Sequence, residues 1–249
     1  MDYLSEDFLG LGNSRPITAC IKHGLGNCKR ERAGFFVFKN NNYDYDFISS
    51  ENLDTKDPNH FSFNNSEFYK YYLDSKVFSL FHTHIISSPT PSELDIEIAE
   101  SLGLPSYILS CKSKESYLYY PSSYKPKQLY GRIFIPFFQD CITFAKDFYE
   151  LEFNIRLSDK INNWSRQSKL SNIKLINEIE NNFIEVNFKD KKYGDLVILE
   201  PSLTNLFHVG VINNNGKLSH HPTGGIPVDE LFNDQSANKV YKLYRYKDL

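Results

Sequence analysis

The chain has 249 residues, 41% of them hydrophobic and 15% aromatic, with a formal net charge of −3. That is enough apolar material for a core in each of two domains, which excludes a disordered chain, and so balanced a charge argues against nucleic acid as a partner. No apolar run approaches the ~18 residues that cross a bilayer, and the opening MDYLSEDFLGLG lacks the basic start and apolar core of a secretory signal, so synthesis in a cytoplasm without membrane insertion is expected.

In chain order, the first half reads as α+β. RAGFFVF (32–38) and KVFSLFHTH (76–84) are strand-like, and the stretch between them at 40–66 is polar and turn-rich. SELDIEIAESLG (92–103) has helical periodicity ending at a glycine, and SYILSC and SYLYYP follow as two more strands. Prolines at 121, 126 and 136 mark a linker, which sets the expected domains at 1–122 and 123–249. The second half opens with a helix, DCITFAKDFYELEF, continues with another near 170–182, and ends in the short strands GDLVIL, HVGVIN and KLSHHP. The four cysteines form no CxxC pair, and at least three of them read as buried small apolar residues.

Two constellations carry chemistry. In FHTHIISSPTPSELD (81–95), His82 and His84 alternate along a strand and so share a face, where two imidazoles can converge on one ion. Asp95, in the first turn of the following helix, is positioned as a third ligand, and two His plus a carboxylate with one open position is the catalytic zinc pattern. The competing reading is plain: Ser92-x-x-Asp95 is also a capping box, and a short HxH is common by chance. In the second half, Asp140 is a natural N-cap that puts Cys141 in the first turn of a helix, where the dipole and unpaired N–H groups favour thiolate. His208 heads one strand of a hairpin, with His220 and His221 near the end of the other. A two-residue turn at Asn214-Asn215 pairs His208 with His221; an odd turn or a bulge pairs it with His220. Cys141 can equally be a small core residue, and the histidines mere surface.

HTH followed by P-S-x-x-D resembles the signature of the JAMM (JAB/MPN) metalloproteases, and ERAGFF matches the upstream glutamate and strand of that family. The resemblance implies a mixed sheet with flanking helices. It makes His82, His84 and Asp95 zinc ligands, Glu31 the general base toward the water that zinc activates, and Ser92 a transition-state stabiliser. Ile85 stands where the family usually has proline, and Lys29, Arg30 and Arg32 around Glu31 also fit a solvated charge run. Asp140-Cys141, then GDLV, HVGV and GKLSH, is similar to the NlpC-type cell-wall cysteine peptidases, which are papain-like. That resemblance makes Cys141 the nucleophile, His208 the base and His220 the orienting residue, with His221 the fallback.

The order of the two modules in a chain of this size resembles the tail assembly protein K family of lambda-like phages. The resemblance implies a tail-tip peptidoglycan hydrolase in the virion tail, made in the bacterial host cytoplasm and acting at the cell wall. Its partners would be stem peptides, cut between D-glutamate and the next diamino acid, and other tail-tip proteins. Two alternatives stand beside it: a structural tail-assembly protein with one or both domains inactive, and a bacterial ubiquitin-like isopeptidase.

Overall fold

The computed structural model describes residues 15–39, 44–54, 56–62, 65–126, 128–159, 169–201 and 207–249. The acidic first dozen residues, read above for a signal, lie outside them. The chain divides into two compact units that meet in sequence between Lys125 and Pro126, inside the proline-marked stretch.

The first unit is a five-stranded mixed sheet. α1 (Arg15–Leu25) precedes β1 (Ala33–Phe38), β2 (Tyr45–Ser50), α2 (Asn65–Tyr72), β3 (Val77–His84), α3 (Glu93–Leu102), β4 (Ser106–Ser110) and β5 (Ser116–Tyr119). The spatial order is β2-β1-β3-β4-β5, with β3 and β4 parallel and the other pairs antiparallel. The parallel pair is joined through α3, the crossover that such a pair needs. Every residue of β1 is buried, because both faces of the sheet are covered. Phe35, Val37 and Leu80 pack with Phe68 of α2 and with Ile98 and Leu102 of α3. Phe36, Phe47 and Phe81 form an aromatic layer on the other face, where α1 brings His23 to within 5.7 Å of the Phe47 ring.

Two elements of this unit escape the sequence reading. β2 lies in the stretch taken as polar and turn-rich, since as an edge strand it needs to bury little beyond Tyr45 and Ser50. α1 was not expected, although Ile17, Cys20, Ile21 and Gly24 recur at helical spacing and are its buried face. None of the four cysteines forms a disulfide; Cys20, Cys111 and Cys141 are buried and Cys28 is partly exposed.

Gly34 explains why the strand behind the first site begins Ala-Gly. A Cβ at position 34 would stand 2.4 Å from the carbonyl oxygen of Ile48 and 2.6 Å from the Phe47 ring. Gly34→Ala is expected to destabilise the protein by about 2–3 kcal/mol, the cost of overpacking a core that cannot shift its backbone, read as a lower denaturant midpoint.

The second unit holds α4 (Cys141–Phe153), α5 (Lys169–Asn182), β6 (Phe183–Glu185), β7 (Leu196–Leu199), β8 (His208–Ile212), β9 (Leu218–His220), β10 (Val228–Glu230) and β11 (Val240–Tyr246). Its sheet is antiparallel, in the order β10-β9-β8-β7-β11-β6. β6, β10 and β11 go beyond the strands expected. Phe144 and Phe148 of α4 pack with Leu196, Ile198, Val209 and Val211 on one face. Val197, Ile212, Leu218, Phe232 and Leu243 form a core on the other. Tyr149 is fully buried and donates a hydrogen bond to the Gly194 carbonyl, tying α4 to the start of β7.

Candidate functional site

The last turn of alternation in β3 sets the first site. Ala33 of β1 pairs with His82, and the Thr83 N–H donates to the Arg32 carbonyl at 2.9 Å, so the same register carried outward sets Glu31 opposite His84. Directly opposed residues of an antiparallel pair share a face, so Glu31, His82 and His84 share one, with the small Ala33 leaving room beside them. Glu31 is only 8% exposed, which removes the reading as a solvated charge run.

Asp95 completes the cluster from α3, and its two proposed roles are one. Its Oδ2 accepts from the Ser92 N–H and hydroxyl, both at 2.7 Å, closing a capping box whose other half is the Asp95 N–H donating to Ser92 Oγ at 3.2 Å. The same carboxylate stands 3.0 Å from His82 Nε2 and 3.2 Å from His84 Nε2. The cap therefore aims the carboxylate at the histidines. The two Nε2 atoms are 3.2 Å apart. Donors bound at about 2.0 Å around a tetrahedral ion lie about 3.3 Å from one another, so three donors spaced this closely suit a small divalent cation. His84 Nδ1 lies 2.7 Å from the Ser88 carbonyl, which can only accept, so Nδ1 carries a proton; Nε2 faces inward, donating to Asp95 when the ring is charged and offering its lone pair to an ion when the ring is neutral. His82, His84 and Asp95 could thus hold a metal ion.

The cluster opens into a cavity of about 420 Å³, lined also by Glu31, His60 and Ser92. Ile85 and Ile86 form part of its wall, with Ile86 largely exposed. His60 was not anticipated; its Nδ1 lies 2.6 Å from Asp54 Oδ2, and it arrives on the loop after β2. Burial alone would raise the Asp95 carboxyl, but hydrogen bonds from His82, His84 and Ser92 outweigh it and hold Asp95 well below the usual carboxylate range.

Glu31 behaves in the opposite way. Burial pushes its carboxyl up to about 8, against the opposing pull of His84 and with help from Asp95 and Asp57. A carboxyl whose folded value exceeds its unfolded 4.5 makes the native state bind more protons through that interval. Stability then falls as pH rises from about 4.5 to about 8. In chelator-treated protein, Glu31→Gln is expected to stabilise by about 1–2 kcal/mol near pH 9 and to change little near pH 4, which thermal midpoints at both pH values check.

In the second unit, Asp140 is fully buried and its carboxylate accepts from the N–H groups of Ile142 at 2.9 Å, Thr143 at 3.0 Å and Phe137 at 2.8 Å. This cap starts α4 at Cys141, which is 6% exposed. α4 packs on β8 through Val209 and Val211, and His208 is the first residue of that strand.

The hairpin register corrects the sequence reading. Gly210 pairs with His220 and Ile212 with Leu218, which continues the ladder with His208 across from 222, so neither histidine lies directly opposite. The cause is the loop: the Asn213 side chain accepts from the N–H groups of Asn215 and Lys217, and Gly216 takes a positive φ of 70°, giving a three-residue turn at 214–216. An odd turn keeps His208 and His220 on one face as diagonal neighbours, with His208 Nε2 2.6 Å from His220 Nδ1. His221 does not join them. It is fully buried, its Nε2 is 3.2 Å from the Gly225 carbonyl, and burial, reinforced by Arg132, pushes it down to about 4.

The chain is thus an α+β protein of two units, one with a metal-capable His/His/carboxylate cluster and the other with a cysteine-headed helix packed on a strand that starts in a histidine pair. No family model matches it. It is 24% identical over 241 residues to the "Tail tip assembly protein K" of Escherichia phage N15, spanning 94% of this chain and 96% of that protein. A protein of Desulfitobacterium hafniense with a known solution structure is 20% identical, with a TM-score of 0.33 over 42% of this chain and 80% of its own. So low a TM-score carries no argument about the fold. Among the described residues, no helix is long and apolar enough to cross a membrane.

Proposed function

We propose that the chain is a phage tail-tip protein that hydrolyses peptidoglycan stem peptides through Cys141, with a zinc-dependent amide hydrolase in its first unit. The observation behind the thiol reading is the 2.6 Å contact between His208 and His220 at the head of the strand on which α4 packs. The similarity to a phage tail-tip assembly protein over nearly the whole length supports the setting, including other tail-tip proteins as partners and the virion tail as location.

The reaction at the thiol is acyl transfer. Cys141 Sγ attacks the carbonyl carbon of the stem-peptide amide as its proton passes to His208 Nδ1. The proton then goes to the leaving amine as the C–N bond breaks, and water hydrolyses the thioester with His208 again taking the proton. His220 holds the His208 ring by its Nε2. The reading requires the first turn of α4 to present its thiol past the end of β8, because strand alternation turns Val209 and Val211, not His208, toward the helix body.

In the first unit, His82, His84 and Asp95 would hold zinc, whose chemistry there is to acidify water and polarise a carbonyl. Glu31, on the same face as His84, takes the proton from the attacking water and returns it to the leaving amine. Ser92 contributes a hydroxyl at the cavity wall that would donate to a developing oxyanion once it turns from Asp95 Oδ2, which the Ser92 N–H continues to hold. The test sets purified sacculi against a ubiquitin-fold fusion as substrates. Cleavage of sacculi alone supports this reading; cleavage of the fusion alone replaces it with an isopeptidase, and cleavage of neither with a structural tail protein.

A further inference from the structure

We propose that Glu230 is a positioning residue for the thiol site, holding His220 in the tautomer that leaves His208 able to accept a proton; this rests on the thiol reading above. Only one proton fits between His208 Nε2 and His220 Nδ1 at 2.6 Å. If His220 supplies it, the neutral His208 ring carries its own proton on Nδ1 and has no lone pair left for a thiol. If His208 supplies it, Nδ1 of His208 keeps its lone pair and the proton of His220 must lie on Nε2.

That second arrangement creates a buried N–H that needs an acceptor. His220 is 6% exposed, and its Nε2 has no formed hydrogen bond among the described residues. Glu230 Oε1 stands 3.4 Å from it, an ion-pair distance that a small rotation closes to a hydrogen bond. The placement follows from register: Val228 pairs with His220, and Glu230, two residues on, shares that face of β10. The Glu230 side chain is 62% exposed, so it is free to turn.

The other charged groups around His220 do not serve. Asp229 points to the opposite face of β10, where its Oδ1 accepts from Tyr130 and Ser219, both at 2.6 Å. His221 offers no anion either: burial pushes it down to about 4, and Arg132 and His220 both oppose a positive charge on it. Glu230, His220 and His208 thus form a relay whose outer member, among the described residues, is the carboxylate facing His220 Nε2.

The test uses the full chain with Glu230→Ala and Glu230→Gln. Iodoacetamide alkylation of Cys141, followed by peptide mapping across pH, reads the relay without any substrate. Glu230→Ala is expected to slow alkylation and cleavage about tenfold near neutral pH, with KM unchanged and the alkylation profile displaced to higher pH, because a mis-set histidine tautomer disables a base. Glu230→Gln, which keeps an acceptor, is expected to recover most of the rate. An Ala variant with the wild-type profile, or a Gln variant no better than Ala, overturns the proposal. A displaced alkylation profile in a chain that leaves sacculi intact upholds Glu230 and rejects the hydrolase reading. Cys141-dependent cleavage with an undisplaced profile does the reverse.

Discussion

Cys141→Ala is expected to lower sacculus cleavage by about 10³-fold or more while the chain stays folded, since removing the nucleophile of a thiol or serine site leaves only binding and oxyanion contributions. The residue sits at the first position of α4, started by a buried aspartate that makes three backbone hydrogen bonds, so its placement owes little to the sulfur itself. The substitution removes one buried sulfur atom, worth about 1 kcal/mol of stability, or a few degrees in midpoint. Activity and stability should therefore separate widely. An Ala variant that digests sacculi at the wild-type rate would remove the thiol from the mechanism.

The second large effect concerns the metal. Protein purified without chelator is expected to carry stoichiometric zinc, and His84→Ala to carry none. His84 is both a donor and the residue whose Nδ1–H ties the strand end to the Ser88 carbonyl. Asp95→Ala should lose the metal too, and should cost more in the metal-free state than His82→Ala, because it also removes the Asp95 half of the Ser92–Asp95 capping box. The sign with pH follows from the depressed Asp95 carboxyl. Its contribution is present above the unfolded value of 3.8 and is lost as the pH falls below it, so the stability gap between metal-free wild type and metal-free Asp95→Ala should narrow in acid. Elemental analysis and acid unfolding curves read both effects. Full zinc retention in His84→Ala would contradict the cluster.

Much of the first site is legible in the chain because local rules carry it. Period-two alternation puts His82 and His84 on one face, and a capping box fixes Asp95 at a helix start. What local rules leave open is that the capping carboxylate is also the one that meets the two histidines, since that depends on how α3 returns to the end of β3. Glu31 is harder to read. Its neighbours Lys29, Arg30 and Arg32 suggest solvent, and only the pairing of β1 with β3 buries it opposite His84. The hairpin shows the same limit at a finer scale. The run Asn213 to Lys217 decides between two- and three-residue turns through one side chain accepting two N–H groups, and a shift of one residue exchanges which histidine faces His208. β11 is missed because a late strand is defined by a partner far away in sequence, Val197 for Leu243, and β2 because an edge strand buries little.

The central claim is that this chain cuts a peptide bond in the bacterial wall, and mass spectrometry of muropeptides released from purified sacculi tests it most directly. Wild type is expected to release fragments hydrolysed within the stem peptide, between D-glutamate and the next diamino acid, and Cys141→Ala to release none. A muropeptide profile unchanged by the wild-type protein, or identical products from Cys141→Ala, would contradict it.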